Sequence, residues 1–215
     1  MLFPINREIS KRVTPLLIVL GLSPNAVTGL CLAAGLLGAW SVLGGGPRGW
    51  LFGALWLQTS YVLDNCDGEI ARITGRISGL GSWLDTAADY VIHSVFFFCL
   101  GWALRRTHPY ALTLGFLAVL GVFLTYAAFI LEQVQLRGRE ALRHPDPPFS
   151  EKTKTMAGKV RMVLREDFSL VVLALALFGQ MEVALWGATI GFFGAGVTEC
   201  ASILLRGARR VEGSA

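Results

Sequence analysis

The stretch that decides the fold is Asp64-Asn65-Cys66-Asp67-Gly68-Glu69-Ile70-Ala71-Arg72, followed by Gly81-Ser82-Trp83-Leu84-Asp85-Thr86-Ala87-Ala88-Asp89. The two aspartates of the first segment are three residues apart, and those of the second are four apart. On helices this spacing places both members of each pair on one face. Eight residues separate the segments and allow the chain to turn. The pattern therefore predicts two joined helices that aim four carboxylates at one point.

Four carboxylates at one point predict a bound cation. Like charges repel unless a cation lies among them, and hard divalent metals prefer oxygen ligands. A carboxylate at membrane depth costs roughly 2.5–3.5 kcal/mol to insert, and ordinary packing does not offset that cost for four of them. Solvation at helix ends is the alternative, and it explains any single aspartate better than it explains four at these spacings.

Small residues and one cation accompany the aspartates. Gly68 and Ala71 share the face of the first pair, and Gly81 shares that of Asp85, so a helix or a ligand phosphate can approach closely. Arg72 adds a guanidinium suited to a phosphate oxygen, with a simple membrane-surface anchor as the alternative role. Acidic metal ligands, close backbone approach and a cation together suit phosphoryl transfer.

The composition is that of an integral membrane protein. Of 215 residues, 53% are hydrophobic and only 16% are charged, whereas a soluble domain has roughly 25% charged residues. The four cysteines stand singly, which favours small core residues over zinc ligands or disulfides. The net charge of +4 reflects basic loops and requires no nucleic-acid partner.

We predict an all-α membrane fold of six transmembrane helices, because about 20 apolar residues cross a bilayer. The predicted spans are 25–43, 49–66, 84–104, 110–135, 168–185 and 186–205.

The segment before the spans differs from them. In residues 1–22 charged and apolar residues alternate in a pattern that suits an amphipathic helix lying in the membrane interface. Ser23 and Pro24 suit the N-cap and first position of a new helix. The chain thus divides into an interfacial segment at 1–22, a membrane domain at 23–206 and a cytoplasmic tail at 207–215.

Lys and Arg predict the orientation. With a cytoplasmic N-terminus, sixteen of the nineteen lie on the cytoplasmic side, and only Arg48, Arg105 and Arg106 lie on the other. The positive-inside rule then places both termini and all four aspartates at the cytoplasmic face of the cell inner membrane.

The gapped pattern D-x2-D-G-x2-A-R-x8-G-x3-D-x3-D resembles the motif of the CDP-alcohol phosphotransferase (CDP-alcohol phosphatidyltransferase) family. Pro24-Asn25 and Thr28, at the opening of the first span, extend the resemblance, as do six spans and an amphipathic N-terminal helix. Every defined position of the motif is present: Asp64, Asp67, Gly68, Ala71, Arg72, Gly81, Asp85 and Asp89.

The resemblance implies a reaction and roles for the residues. The family transfers a phosphate-bearing alcohol from its CDP ester to an acceptor hydroxyl and releases CMP. Asp64, Asp67 and Asp85 would hold Mg²⁺ or Mn²⁺, as two ions, with Asp89 contributing and acting as general base. A homodimer among membrane lipids is also implied. The CDP moiety would lie against Gly68, Ala71, Arg72, Gly81, Asn25 and Thr28.

The substrates are less sharply indicated. The segments 5–10 and 67–72 are similar to the branch that makes inositol-phosphate products, which favours inositol phosphate or a similar polyol as acceptor. The sequence of residues 64–68 is also similar to that of ethanolamine and choline phosphotransferases, which act on a lipid hydroxyl. The donor would be CDP-diacylglycerol or a CDP-polyol. Three cations of the long basic loop, Lys159, Arg161 and Arg165, are candidates for binding an acceptor phosphate.

Two alternatives belong to other classes. A divalent-cation channel or transporter would explain the aspartates but not the glycines, alanine and arginine at their spacings. A non-catalytic membrane scaffold would explain neither. His93, one turn after Asp89, could tune that base, but a hydrogen-bonded helix residue is the favoured interpretation.

Overall fold

The computed structural model describes residues 5–137 and 168–212, and every regular element in these ranges is an α-helix. This confirms the all-α fold class for the described part of the chain. The helices are α1 Ile5–Val19, α2 Pro24–Leu43, α3 Gly46–Thr74, α4 Gly79–Leu104, α5 Ala111–Arg137, α6 Phe168–Leu177 and α7 Met181–Glu212.

The helices pack around α4. It lies against α2 and α5, while α2 also packs on α3 and α5 on α7. The buried centre is aliphatic and aromatic, with Phe96 and Phe97 of α4 and Leu57 of α3 fully enclosed. Glycines set the closest approaches: a Cβ on Gly38 of α2 would lie 2.9 Å from the carbonyl oxygen of Gly53 of α3. Small residues thus let these backbones meet, as in other membrane bundles.

The outer surface of the bundle is apolar, which fits a lipid environment. Large hydrophobic side chains such as Trp40, Phe116 and Ile190 are exposed. Four helical segments among the described residues are long and apolar enough to cross a membrane: Pro24–Leu43, Gly79–Leu104, Ala111–Leu131 and Met181–Ile203. The chain is therefore an integral membrane protein. Of the other two predicted spans, one lies in α3, which carries the acidic segment, and one begins with α6.

The predicted C-terminal bound of the span 168–185 is wrong. Helix α6 stops at Leu177, where Gly179 adopts a left-handed φ of 68° and the N–H of Gln180 donates to Leu175 O at 2.7 Å. The next helix begins at Met181 rather than at 186. The polar residues Gln180 and Glu182 predict a very short turn at this point, so the turn is where the sequence indicates it and only the bounds of the two spans are misplaced. Gly179 makes the break possible, because a glycine with positive φ closes a helix C-terminus at low cost.

Candidate active site

The end of α3 and the start of α4 meet through a short turn, as predicted. Gly75 adopts a left-handed φ of 67°, and its N–H donates to the carbonyl oxygen of Ala71, which closes α3. The hydroxyl of Ser78 then accepts from the N–H of Gly81 at 3.0 Å and caps α4. These local caps reverse the chain within a few residues. Both acidic segments consequently lie at the same end of the bundle.

Three of the four predicted carboxylates converge. One oxygen each from Asp64, Asp67 and Asp85 lies within 4.8 Å of the others. Asp67 is only 4% exposed, and its Oδ2 accepts a hydrogen bond from the hydroxyl of Thr28 on α2 at 2.6 Å. Asp64 and Asp85 are half-buried. Three helices therefore build this acidic group: α3 and α4 supply the carboxylates, and α2 orients one of them.

The group fits a hard divalent cation. Such ions bind oxygen at about 2.0–2.6 Å, so two ligand oxygens on opposite sides of one ion are about 4–5 Å apart. Oδ1 of Asp85 is buried and has no hydrogen-bond partner among the described residues. A buried carboxylate oxygen without a donor is costly unless a ligand satisfies it. The spacing and the unpartnered oxygen both match a metal ligand set.

Asp89 lies one turn farther along α4 and is not part of the three-carboxylate group, although its charge interacts with that of Asp64. Its carbonyl oxygen is 2.7 Å from Nδ1 of His93, whose Nε2 is 2.7 Å from the hydroxyl of Tyr61 on α3. Since a carbonyl only accepts, Nδ1 donates to it. In the neutral ring, Nε2 then accepts from Tyr61. His93 is thus a hydrogen-bonded helix residue, which agrees with the favoured interpretation.

Tyr61 is a residue that the sequence analysis missed. It lies one turn before Asp64 on α3, and His93 lies one turn after Asp89 on α4. Their hydrogen bond therefore ties the two acidic helices together just inside the carboxylates. The one available signal was the spacing of three residues between Tyr61 and Asp64, which places both on the same helix face.

The predicted nucleotide-binding residues border the carboxylates. A Cβ on Gly68 would lie 3.2 Å from Nη1 of Arg72, so the guanidinium folds back over the glycine. A Cβ on Gly81 would lie 2.9 Å from Oγ of Ser78 and 3.3 Å from Oδ1 of Asn25. The start of α2 therefore lies close to the start of α4 at position 81, where a side chain would crowd Asn25. Ala71 is half-buried on the same turn as Arg72.

Two further predictions have different outcomes. Thr28 was predicted to bind the CDP moiety, and the structure gives it a specific contact, the hydrogen bond to Asp67. Its role toward a nucleotide stays a prediction. Lys159, Arg161 and Arg165 lie outside the described residues.

Comparison with known proteins supports one family. The family model described as CDP-alcohol phosphatidyltransferase matches residues 21–191. A bifunctional IPC transferase and DIPP synthase from Thermococcus kodakarensis is 35% identical over 124 residues, which are 57% of this chain and 27% of that protein. A protein of the same name from Archaeoglobus fulgidus is 34% identical over 125 residues, 58% of this chain and 24% of that protein. The chain spans about a quarter of the length of these bifunctional relatives.

A third relative is matched over most of both chains. The CMP-forming cardiolipin synthase of Streptomyces coelicolor is 32% identical over 181 residues, 81% of this chain and 79% of that protein. The matched family region contains both acidic segments and the turn between them. The motif, the converging carboxylates and the family match agree, and the chain belongs to the CDP-alcohol phosphatidyltransferase family.

Proposed function

We propose that this protein is a metal-dependent CDP-alcohol phosphotransferase that releases CMP. The observation that carries the proposal is the group of three carboxylates with the unpartnered buried oxygen of Asp85. Asp64, Asp67 and Asp85 would hold Mg²⁺ or Mn²⁺, as two ions with Asp89 contributing. When bound, the metal neutralises charge that develops on the pyrophosphate and the leaving CMP.

The chain's own residues account for the remaining steps. Arg72, with Gly68 and Ala71 leaving room beside it, would bind the donor's phosphate oxygens, and Gly81, Asn25 and Thr28 would complete the CDP site. The acceptor oxygen bonds to the phosphorus that carries the alcohol, while the bond from that phosphorus to CMP breaks. Asp89 takes the proton of the acceptor hydroxyl as general base.

For the acceptor we favour inositol phosphate or a similar polyol. The names of the bifunctional relatives support this choice, and the donor would then be CDP-diacylglycerol or a CDP-polyol. Lys159, Arg161 and Arg165 are proposed to bind the acceptor's phosphate.

A lipid hydroxyl is the second candidate acceptor. It is favoured by the cardiolipin synthase relative, which is matched over far more of its length than the bifunctional relatives are.

The proposed setting is the cytoplasmic face of the inner membrane. We propose six spans, with α3 and the helix containing Phe168–Leu177 added to the four apolar ones, and α1 in the interface. Support comes from the excess of Lys and Arg at the same end of the helices as the aspartates. A homodimer, implied by the family resemblance, is part of the proposal. Labels at residues 1 and 215 should be accessible only from the cytoplasm.

The decisive experiment is CMP release by the purified protein in detergent. A panel of CDP-diacylglycerol and CDP-polyol donors is combined with polyol-phosphate and lipid acceptors, in the presence of Mg²⁺ or of EDTA. We expect CMP release that requires the metal and one acceptor class. Metal-independent release would contradict the proposed chemistry. Divalent-cation flux through proteoliposomes with no CMP release would support the channel alternative instead.

A further inference from the structure

The first helix docks on the bundle through a polar face. Asn6, Ser10 and Thr14, spaced four residues apart, are all at most 1% exposed. By contrast, Leu16 and Val19 of the same helix are 64% and 85% exposed. Part of the apolar side of α1 also packs against the bundle, so the buried polar residues lie beside an apolar contact. The buried polar face of α1 therefore calls for specific partners.

The partner of two of these residues is Glu69 of α3. The hydroxyl of Ser10 donates to Oε1 of Glu69 at 2.8 Å, and that of Thr14 donates to Oε2 at 2.7 Å. Two donors one helical turn apart thus engage the two oxygens of one carboxylate. Hydrogen bonds to an ionised acceptor are roughly twice as strong as neutral ones. The two hydrogen bonds are directional and hold the Glu69 carboxylate in one position. Apolar contacts are not directional and would allow it to shift.

The third residue continues the same attachment. Asn6 donates to the hydroxyl of Ser169 on α6 at 3.0 Å and accepts from Gln58 on α3. The attachment of α1 to α3 thus runs from Gln58 to Glu69. Between these points, the buried thiol of Cys66 lies 3.8 Å from the carbonyl oxygen of Ser10.

In the sequence, Glu69 lies between Asp67 and Arg72 of the proposed site. It is two residues after Asp67, so the two side chains project about 200° apart around α3. Thr28 of α2 holds Asp67 on one side, while α1 holds Glu69 on the opposite side. Contacts on two opposite sides oppose rotation of the helix about its axis. They therefore contribute to the direction in which Asp67 points.

We infer that Glu69 is a positioning residue for the carboxylate site, which acts by clamping the end of α3 to Ser10 and Thr14 of α1. This inference rests on the proposed function of that site. Removing the clamp should let α3 rotate and move Asp67 relative to Asp85. A displacement of about 1 Å in a catalytic arrangement costs about 100-fold in rate.

The test compares variants of the clamp in the whole protein. Glu69→Ala should lower kcat/KM for CMP release by about 10- to 100-fold. Glu69→Gln keeps one acceptor oxygen and an amide of the same length, so it should recover most of this loss. The shorter Glu69→Asp should not. Ser10→Ala combined with Thr14→Val should reproduce the effect of Glu69→Ala, and adding it to Glu69→Ala should cost little more, because both remove the same contact.

Two readouts do not depend on turnover. Mn²⁺ affinity, followed by electron paramagnetic resonance, should weaken about fivefold or more in Glu69→Ala, as expected if part of a ligand set shifts. Maleimide labelling of Cys66, identified by peptide mass, should accelerate when α1 detaches. Thr59→Val is the matched control, since the exposed Thr59 hydroxyl donates to Leu55 O of its own helix at 2.9 Å. It should change neither readout.

The outcomes separate the alternatives. If Glu69→Ala lowers only the melting temperature, while kcat per folded molecule and Mn²⁺ affinity stay unchanged, Glu69 is merely structural and the inference fails. If the clamp variants give a misfolded protein, the milder Ser10→Ala alone decides by the same measurements. A wild type that releases no CMP would overturn the proposed function. The Mn²⁺ and Cys66 comparisons would still test the clamp.

Discussion

Two carboxylates at opposite ends of the bundle differ in how their oxygens are paired. Glu182 of α7 lies at the end of the bundle that the charge distribution predicts to face away from the cytoplasm. Its Oε1 accepts a hydrogen bond from the hydroxyl of Tyr110, and its Oε2 is 3.2 Å from Nε2 of His108. At the other end, Asp85 keeps a buried oxygen with no partner among the described residues. Both oxygens of Glu182 are paired by the protein's own groups, whereas within the described ranges one oxygen of Asp85 is not. An acid that completes its hydrogen bonds internally connects helices, whereas an acid left incomplete is available to a ligand.

The contacts around Glu182 indicate that it links two parts of the bundle. Its hydrogen bond from Tyr110 raises the pKa of that phenol, because the neighbouring carboxylate favours the protonated hydroxyl. The Tyr110 ring also packs on Trp186, one turn after Glu182. The contact joins the segment before α5 to the start of α7. We therefore expect mutations at the two ends to differ mainly in their effect on chemistry.

The largest effect should come from removing a converging carboxylate. Asp64→Asn, Asp67→Asn or Asp85→Asn removes a ligand charge, so Mn²⁺ binding and transfer should fall together. The expected loss is about 1000-fold in kcat/KM, since metal stabilisation of phosphoryl charge amounts to several kcal/mol. Metal titration and CMP release measure both quantities. Normal metal affinity in Asp85→Asn would contradict the distinction drawn between Asp85 as a ligand and Glu182 as a link between helices.

The next effect concerns the fourth aspartate, which the structure sets apart from the converging three. Asp89→Asn should lower kcat by about 10²- to 10⁴-fold, the usual contribution of a general base. Binding of the CDP-alcohol and of metal should stay near normal, because Asp64, Asp67 and Asp85 remain. Single-turnover rates and equilibrium binding of the donor separate the two effects. Near-normal turnover would place the base elsewhere.

A smaller effect should follow loss of the hydrogen bond between the acidic helices. Tyr61→Phe leaves Nε2 of His93 without its donor, and a net hydrogen bond of about 0.5–1.5 kcal/mol corresponds to about two- to tenfold in kcat. Tyr110→Phe makes the same chemical change at the other end of the bundle. It should leave kcat unchanged. Equal effects of both variants on kcat would mean that the bond to His93 has no particular link to the site.

The smallest effect should be that of Glu182→Gln. The side chain is 30% exposed, and exposed charge contacts contribute little to stability. We expect a shift in melting temperature of at most about 4 °C and unchanged CMP release. A large loss of activity would show that the satisfied carboxylate also serves the reaction, and the distinction between the two ends would have to be abandoned.

The sequence by itself determined that two acidic segments lie on two helices joined by a short turn, and that the chain is a helical membrane protein. The acidic segments, their spacing and the turn between them are local features, and a helix places residues three or four apart on one face whatever the surrounding fold. The membrane character follows from composition in the same direct way. The helices α2, α4 and α5 accordingly begin or end within a few residues of the predicted spans, apart from the start of α4, which lies five residues earlier.

Only the tertiary structure decided which polar groups are satisfied and by which partners. The bonds from Ser10 and Thr14 to Glu69 join residues 59 and 55 positions apart, and that from Thr28 to Asp67 spans 39. Such pairs depend on how each helix is rotated and where it crosses its neighbours, which the periodicity of a single helix does not encode. For the same reason, no local pattern distinguishes Glu69, held by two hydroxyls, from Asp85, whose buried Oδ1 has no partner in the part of the chain that the structure describes.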